Sequence, residues 1–203
     1  MPPTKSGRVR KTQQRLSSAA RKESFLQAAS QLIRARGLEG LTMEGLAAFC
    51  EVNKALPYRH FANRDDLLVA LYDYENRKFD ERLGASEIDT EDFAASLRHL
   101  VFTWYADVKS GTGTPELMQA RTQSGELEAR RRVRVQTSVS YIADLVQSSY
   151  DVKRDKAKLA ASVLLAGSQG LVAFWRTPGL DHEGLTESFI AMSVGAVAAI
   201  AEK

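Results

Sequence analysis

The chain has 203 residues, of which 44% are hydrophobic and 26% are charged, and its formal net charge is +3. This length allows a real hydrophobic core in one large or two small domains, and the composition is ordinary for a soluble globular protein. A single cysteine excludes an intrachain disulfide framework and fits a reducing, cytoplasmic location, and three scattered histidines with one cysteine make no zinc pattern.

The charge is concentrated at the N-terminal end. Residues 1–22 contain seven basic residues and no acidic residue, so the rest of the chain is acidic overall. Residues 1–17 show no hydrophobic periodicity, and we expect them to be a disordered basic arm. A basic arm on an acidic body indicates a polyanionic partner, although a merely solvated tail is the alternative interpretation. No apolar run follows the arm, so we expect no signal peptide.

The stretch from Thr42 to Phe61 predicts two short helices joined by a tight turn. Thr42 and Asn53 are suitable N-caps for the two helices, and Glu51 lies in the turn between them. This is the helix-turn-helix arrangement, in which the second helix enters the major groove of DNA. A preceding helix is predicted over 18–36 with one apolar face: Phe25, Leu26, Ala29, Leu32 and Ile33. A following helix begins after Asn63 and ends near Leu83.

This region resembles the N-terminal domain of the TetR family of bacterial transcriptional regulators. The resemblance covers roughly residues 20–75 and rests on these residues: Ala28-Ala29, Leu32-Ile33, Gly37, Thr42, Leu46-Ala47, Val52-Asn53-Lys54, Tyr58-Arg59-His60-Phe61 and Asn63 to Leu68. It implies a helix-turn-helix DNA-binding domain with a connecting helix over 18–83. It also implies a ligand-binding and dimerisation domain over 84–203.

Two residues depart from the family pattern. Glu51 replaces the usual glycine of the turn, so we expect some backbone strain there. Pro57 stands inside the recognition helix, predicted over 54–61, where its missing N–H and its ring disfavour a regular first turn. We therefore predict that this helix starts late or with a tightened 3₁₀ turn.

The recognition helix and its surroundings provide the candidate DNA contacts. Lys54, Ala55 and Leu56 are expected at base edges, where lysine bonds guanine and apolar groups touch the thymine methyl. Arg59 suits either bases or phosphates. The resemblance implies that the remaining contacts, most of them to phosphates, come from Thr42, Asn53, Tyr58, His60 and Arg64. For Phe61 we expect core packing, and for Tyr58 a packed ring with an exposed hydroxyl.

The recognition helix contains few hydrogen-bond donors for bases. We therefore expect DNA shape and the arm to contribute to specificity, because arginines of such arms enter the minor groove. The arginines concerned are Arg8, Arg10 and Arg15.

Five more helices are predicted after residue 84, which gives an all-α chain of about nine helices without a convincing strand. Thr90 is the expected cap of the fifth helix, and Thr114-Pro115 begins the sixth. The last three helices are predicted over about 126–150, 153–176 and 183–202. The longest apolar run, near 191–201, is too short to span a bilayer.

The last two helices are apolar around much of their circumference, which favours homodimerisation over a thick intrachain core. The resemblance implies the same. The expected interface residues are Leu164, Leu171, Ala191, Gly195 and Ala199.

Two further features of residues 84–203 each have a purely structural and a functional interpretation. The cluster of arginines at 130–134 is expected to be a solvated helix face, with an acidic ligand or a contact to the head as the alternative. Several aromatic and sulfur-containing side chains are expected to be plain core, and the alternative is that they line the effector cavity that the resemblance implies. These are Trp104, Met118, Tyr141, Phe174 and Trp175.

The sequence thus indicates a homodimeric one-component transcriptional regulator, released from a pseudo-palindromic operator by a small apolar or amphipathic effector. His99 and His182 have no catalytic context, so we expect no enzymatic activity, and no cofactor or metal. The alternatives are a dimeric DNA-binding protein without an effector, and an all-α small-molecule-binding protein with a vestigial head.

Overall fold

The computed structural model describes residues 17–85, 91–110, 117 and 125–201. These residues contain eight α-helices, one 3₁₀ segment (Leu38–Gly40) and no strand, which confirms the all-α prediction. The predicted sixth helix lies outside the described residues, apart from the helical Leu117. The eight helices are α1 (Ser18–Arg36), α2 (Met43–Phe49), α3 (Ala55–Tyr58), α4 (Arg64–Leu83), α5 (Phe93–Ser110), α6 (Gly125–Ser149), α7 (Arg154–Trp175) and α8 (His182–Ala201).

Side-chain caps fix where several helices begin. The Thr42 hydroxyl accepts from the Gly45 N–H at 2.9 Å, and the Asn63 side chain accepts from the Asp66 N–H at 2.9 Å. Both caps were predicted from the sequence. The start of α5 differs, because Asp92 accepts from the Ala95 N–H at 3.0 Å in the place predicted for Thr90. Gly37 ends α1 with a φ of 71°, a value that favours glycine.

The helices α1, α2 and α3 and the first part of α4 enclose one hydrophobic core, and we call this unit the head. The buried face of α1 consists of the five residues predicted from periodicity. Leu46 of α2 and Leu67 of α4 are fully buried against them. The helix-turn-helix formed by α2 and α3 therefore shares a single hydrophobic core with α1 and the first part of α4.

The helices α5 to α8 form a second core, and we call this unit the body. Trp175 lies near its centre, with its ring centroid 5.3 Å from Trp104 and 5.2 Å from Tyr105. Its indole N–H donates to the Thr186 hydroxyl at 2.9 Å, so the polar atom of this buried ring is satisfied.

The outer faces of α7 and α8 expose a large apolar surface, which we call the outer face. In the most apolar 18-residue stretches of the two helices, only 33% and 22% of the residues are buried. By length and composition alone both helices are able to cross a membrane, contrary to the expectation from a single apolar run. Large exposed side chains on the outer face are Leu159, Val163, Phe174 and Met192, accompanied by Ala191, Gly195 and Ala199.

Leu164 and Leu171 do not belong to the outer face. Each is 7% exposed and packs in the body core of its own chain, and their place in a dimer interface stays a prediction. Because α7 is apolar on most sides, periodicity cannot tell which apolar side is covered by the same chain.

Ion pairs connect α4 to the body. Arg134 makes two hydrogen bonds to the Asp80 carboxylate, at 2.9 and 2.8 Å, and Arg130 lies 3.3 Å from Asp73. Arg130 and Arg134 therefore contact the helix that continues from the head, which is the alternative interpretation of the cluster, while Arg130 and Arg132 remain exposed. Arg131 is buried and donates to the Leu117 carbonyl oxygen.

A buried carboxylate lies between the head and the body. Glu75 of α4 is 3% exposed, and its Oε1 accepts a hydrogen bond from the Ser30 hydroxyl of α1. Burial raises the pKa of Glu75, and the nearby Asp107 carboxylate raises it further. The Ser30 hydrogen bond and the positive charges of Arg82 and Arg34 act in the opposite direction. Glu75 therefore holds its proton to a higher pH in the folded chain than in the unfolded chain.

This raised pKa predicts the pH dependence of a Glu75→Gln variant. Wild-type stability is lost as the pH rises from about 4.5 through the folded-state pKa, because the folded chain binds more protons in that window. The variant lacks this loss, and its advantage grows by about 1.4 kcal/mol per unit of pKa difference. Urea unfolding at several pH values measures it, with the exposed Glu81→Gln on the same helix as control. A difference independent of pH contradicts the prediction.

Candidate nucleic-acid interface

The recognition helix α3 is reduced to Ala55–Tyr58, four residues in place of the predicted eight. The Asn53 side chain accepts from the Ala55 N–H at 2.9 Å, and the Asn53 carbonyl accepts from the Leu56 N–H at 2.9 Å. This second bond spans three residues, as in a 3₁₀ turn, because Pro57 has no N–H to make the ordinary four-residue bond. The tightened first turn agrees with the prediction made from Pro57.

The turn before α3 contains the strained residue expected from the sequence. Glu51 has a φ of 54°, in the left-handed region that glycine occupies without cost. For a residue with a side chain this conformation costs roughly 1–2 kcal/mol. The Val52 N–H donates to the Ala47 carbonyl at 3.0 Å, and its side chain packs against the head core. The packed core thus holds the turn in place despite Glu51.

The three residues expected at base edges are not equally exposed. Lys54 and Ala55 are exposed at the start of α3. Leu56 is half-buried and packs against the head core, so only part of this side chain is left for the predicted base contact. The short helix turns this side chain inward, and Arg59, which follows α3, is exposed instead.

Tyr58 and Phe61 have different environments. Phe61 is 1% exposed and packs edge-on against Phe25, with ring centroids 6.5 Å apart, as expected for a core residue. Tyr58 is 47% exposed, so its ring is not packed as predicted. Its hydroxyl donates to Oε1 of Glu44 at 3.1 Å, a contact between α3 and α2 that the sequence did not predict.

The side chains of His60 and Arg64 both make contacts within the head. The His60 ring lies 5.5 Å from the Phe25 ring, and burial lowers its pKa, as do the charges of Arg59, Lys22 and Arg21. Three neighbouring cations give this part of the surface a positive potential that suits a phosphate.

Arg64 links α4 to the 3₁₀ segment and to the residue that follows it. Its guanidinium donates from Nε to the Leu41 carbonyl at 2.7 Å and from Nη2 to the Leu38 carbonyl at 3.2 Å. Sequence reasoning assigned Arg64 to phosphate because backbone carbonyls from a distant segment leave no signal in the sequence. Thr42 and Asn53 are exposed; Thr42 caps α2, whereas the N-cap position of α3 is Lys54, one residue after the predicted cap Asn53.

The remaining predicted site residues are the arginines of the arm and the side chains predicted to line an effector cavity. Arg8, Arg10, Arg15 and Met118 lie outside the described residues. Trp104 and Trp175 are in contact inside the body, whereas Tyr141 and Phe174 are 36% and 50% exposed. Trp104 and Trp175 therefore belong to the core packing of the body, whereas Tyr141 and Phe174 lie at its surface. Among the described residues, no three His, Cys, Asp or Glu side chains are placed to hold a metal ion.

The body has an open groove on α5 that the sequence did not predict. Its lining residues include Phe102 and Arg98, and Arg98 pairs with Glu187 of α8. The His99 ring makes a 3.1 Å hydrogen bond to the Leu83 carbonyl at the end of α4. The groove thus adjoins the junction of head and body.

Comparisons with known proteins agree with this architecture. Residues 25–71 match the family model described as bacterial regulatory proteins, tetR family. A transcriptional regulator from Rhodococcus sp. Rha1 is 18% identical, with a TM-score of 0.74 over 90% of this chain and 98% of that chain. A TetR transcription regulator from Haloarcula marismortui is 20% identical, with a TM-score of 0.72 over 89% and 98% of the two chains. No curated protein matches the sequence.

A third similar structure contains both a small-molecule ligand and DNA. AibR in complex with isovaleryl coenzyme A and operator DNA is 23% identical, with a TM-score of 0.62 over 85% of this chain and 97% of that chain. The head thus matches the DNA-binding domain model of the TetR family, and the chain as a whole has the fold of the TetR-like transcriptional regulators.

Proposed function

We propose that this protein is a homodimeric one-component repressor that binds a pseudo-palindromic operator and is released by a small-molecule effector. The observation that carries the proposal is the exposed surface around α3, where Lys54, Ala55, Tyr58 and Arg59 lie together with Thr42 at the start of α2. In this proposal residues 18–83 bind DNA, residues 84–203 dimerise and bind the effector, and 1–17 form a basic arm. Such a protein acts in the cytoplasm, on the nucleoid.

The outer face supports the dimer. In a single chain two long helices expose a large apolar surface to water, which is unfavourable. A second copy of the chain has the same surface, so the two copies can bury it against each other. The small residues Ala191, Gly195 and Ala199 allow close helix packing at its centre. Two heads related by a two-fold axis then meet successive major grooves about one helical turn apart.

The DNA contacts divide by chemistry. Lys54 and Ala55 are assigned to base edges, and Thr42, Tyr58, His60 and Arg59 to phosphates. Asn53 and Arg64 position these residues through the contacts they make within the head. Because α3 offers few base-specific donors, the arm arginines and DNA shape supply the remaining specificity.

The effector is proposed to be small and apolar or amphipathic, and to act through α4. That helix joins the head to the body through the Arg130–Asp73 and Arg134–Asp80 pairs and through Arg82, which lies 2.5 Å from Asp107. A ligand that moves α5 or α6 changes these contacts and with them the separation of the two heads. Such coupling is worth about 1–3 kcal/mol.

The alternative of a regulator without an effector has one observation in its favour. The aromatic residues expected to line a cavity are divided between the core and the surface. Operator affinity that no small apolar ligand changes supports this alternative, whereas a ligand that weakens operator binding supports the proposal.

The environment of His60 predicts a pH-dependent operator affinity. Its lowered pKa keeps the imidazole neutral at pH 7, whereas a neighbouring phosphate favours the charged form, so binding takes up a proton. Affinity is expected to rise as the pH falls from about 7 to about 5.5, by at most tenfold per pH unit per head. Fluorescence anisotropy measures it, and His60→Gln should flatten the profile. A wild-type profile as flat as that of the variant refutes the phosphate contact of His60.

The proposed function is tested by selecting ligands for the full-length protein from a randomised duplex pool at two salt concentrations. Enrichment of an inverted repeat, with affinity that falls steeply as salt rises, is the expected result. No enriched sequence at either salt concentration overturns the proposal and leaves the body as the functional part of the chain.

A further inference from the structure

We infer that Glu44 is a specificity-determining residue of the DNA interface, because its carboxylate opposes the approach of a phosphate to the Tyr58 hydroxyl. The inference rests on the proposed operator binding and adds to it a residue that disfavours DNA held by its backbone alone. Glu44 is exposed on α2, and its Oε1 accepts the Tyr58 hydroxyl proton at 3.1 Å.

The Tyr58 hydroxyl has a single proton to donate. In the free protein it donates this proton to Glu44, so a DNA phosphate has to replace the carboxylate as acceptor. The exposed hydrogen bond is weak in net terms and is readily exchanged. After the exchange, however, the carboxylate remains beside the phosphate. The two negative charges then repel each other, because both lie next to the Tyr58 hydroxyl.

Among the described residues no lysine or arginine forms an ion pair with Glu44. Its negative charge is therefore not neutralised by the exposed cations Lys54 and Arg59 of the same interface. It occupies the second position of α2, where the positive end of the helix favours a carboxylate.

Phosphates are the same in every DNA sequence, so the repulsion differs between sequences only through the register in which the head is held. At the operator, base contacts from Lys54 and its neighbours hold the head in one register, in which the phosphate reaches the Tyr58 hydroxyl from the side away from the carboxylate. On other DNA no base contacts fix the register, and the repulsion weakens every register that brings a phosphate against Glu44. Glu44 thereby increases the ratio of operator to non-specific affinity, which is the quantity that matters in a genome.

The test compares the full-length protein with a Glu44→Gln variant on the selected operator and on a duplex of unrelated sequence, over a range of salt. The variant is expected to bind the unrelated duplex about 5-fold more tightly per head, with a smaller gain on the operator. The slope of log affinity against log salt should steepen by up to about 0.9 per head. Glu183→Gln, an exposed acid of the body, is the control for net charge.

A second variant separates the Tyr58 contact from general electrostatics. In a Tyr58→Phe background, Glu44→Gln should change the non-specific affinity by less than it does in the wild type, because the hydroxyl that draws the phosphate in is absent. An equal change in both backgrounds contradicts the mechanism.

The remaining outcomes are distinct. If Glu44→Gln behaves as Glu183→Gln does while wild-type operator binding is intact, the inference is overturned and the proposed function stands. If the variant instead weakens operator binding, Glu44 makes a favourable contact, such as to a cytosine amino group, and the inference is also overturned. If the wild-type protein selects no DNA sequence, the proposed function is overturned together with the inference.

Discussion

Replacing Val163 by glutamate is expected to convert the proposed dimer into monomers and to reduce operator affinity by at least about 100-fold, the gain that bivalent attachment provides. Val163 lies on the outer face and is 61% exposed in the single chain, so the substitution leaves the fold of one protomer intact. In a dimer the new carboxylate and its symmetry mate are buried in an apolar interface, where an unpaired charge is strongly unfavourable.

Val133 provides a matched control for this experiment. It is also 61% exposed, but it lies on α6, away from the outer face. Val133→Glu makes the same chemical change at the same exposure, and we expect the mass from light scattering and the operator affinity to stay at wild-type values. If Val163→Glu also remains dimeric, α7 is not part of the interface, and the proposed dimer is wrong.

Replacing Phe61 by alanine is expected to destabilise the head by about 3–5 kcal/mol, because the ring is removed from a closely packed core. Phe61 is 1% exposed and contacts Phe25 and His60. A loss of this size is a large part of the stability of a typical domain, so operator binding should fail at a lower urea concentration.

The positions of the tryptophans make this loss easy to localise. Both tryptophans, Trp104 and Trp175, lie in the body, so tryptophan fluorescence follows the body while far-UV circular dichroism also follows the head. Phe61→Ala should shift the circular dichroism transition more than the fluorescence transition. Phe49→Ala, at a phenylalanine that is 37% exposed in the same helix-turn-helix, is the control. Equal effects of the two substitutions mean that Phe61 is not a core residue.

Local interactions made much of the head predictable. The spacing of apolar residues in α1 identified its buried face, Thr42 and Asn63 identified two helix starts, and Pro57 indicated a tightened first turn in α3. Each of these features depends on residues within about one turn of one another, where propensity, capping and backbone geometry act. Such features can be read directly from the order of the residues.

The candidate site was less predictable where it depends on distant segments. Arg64 binds backbone carbonyls of the 3₁₀ segment, Leu56 packs inward from a shortened helix, and Tyr58 contacts Glu44 on another helix. A guanidinium, a leucine and a tyrosine are each compatible with DNA contact, and only the arrangement of α2, α3 and α4 shows where these groups lie.

The sequence by itself determined the helical class, the helix-turn-helix and the concentration of basic residues in 1–22, because periodicity, capping and charge are local properties. The tertiary structure decided which side of α7 is core and which is the outer face. Leu164 and Val163 are adjacent and both apolar, yet one is 7% and the other 61% exposed. It also decided that Arg130 and Arg134 of α6 pair with α4, since opposite charges interact according to their distance in space, whatever their separation along the chain.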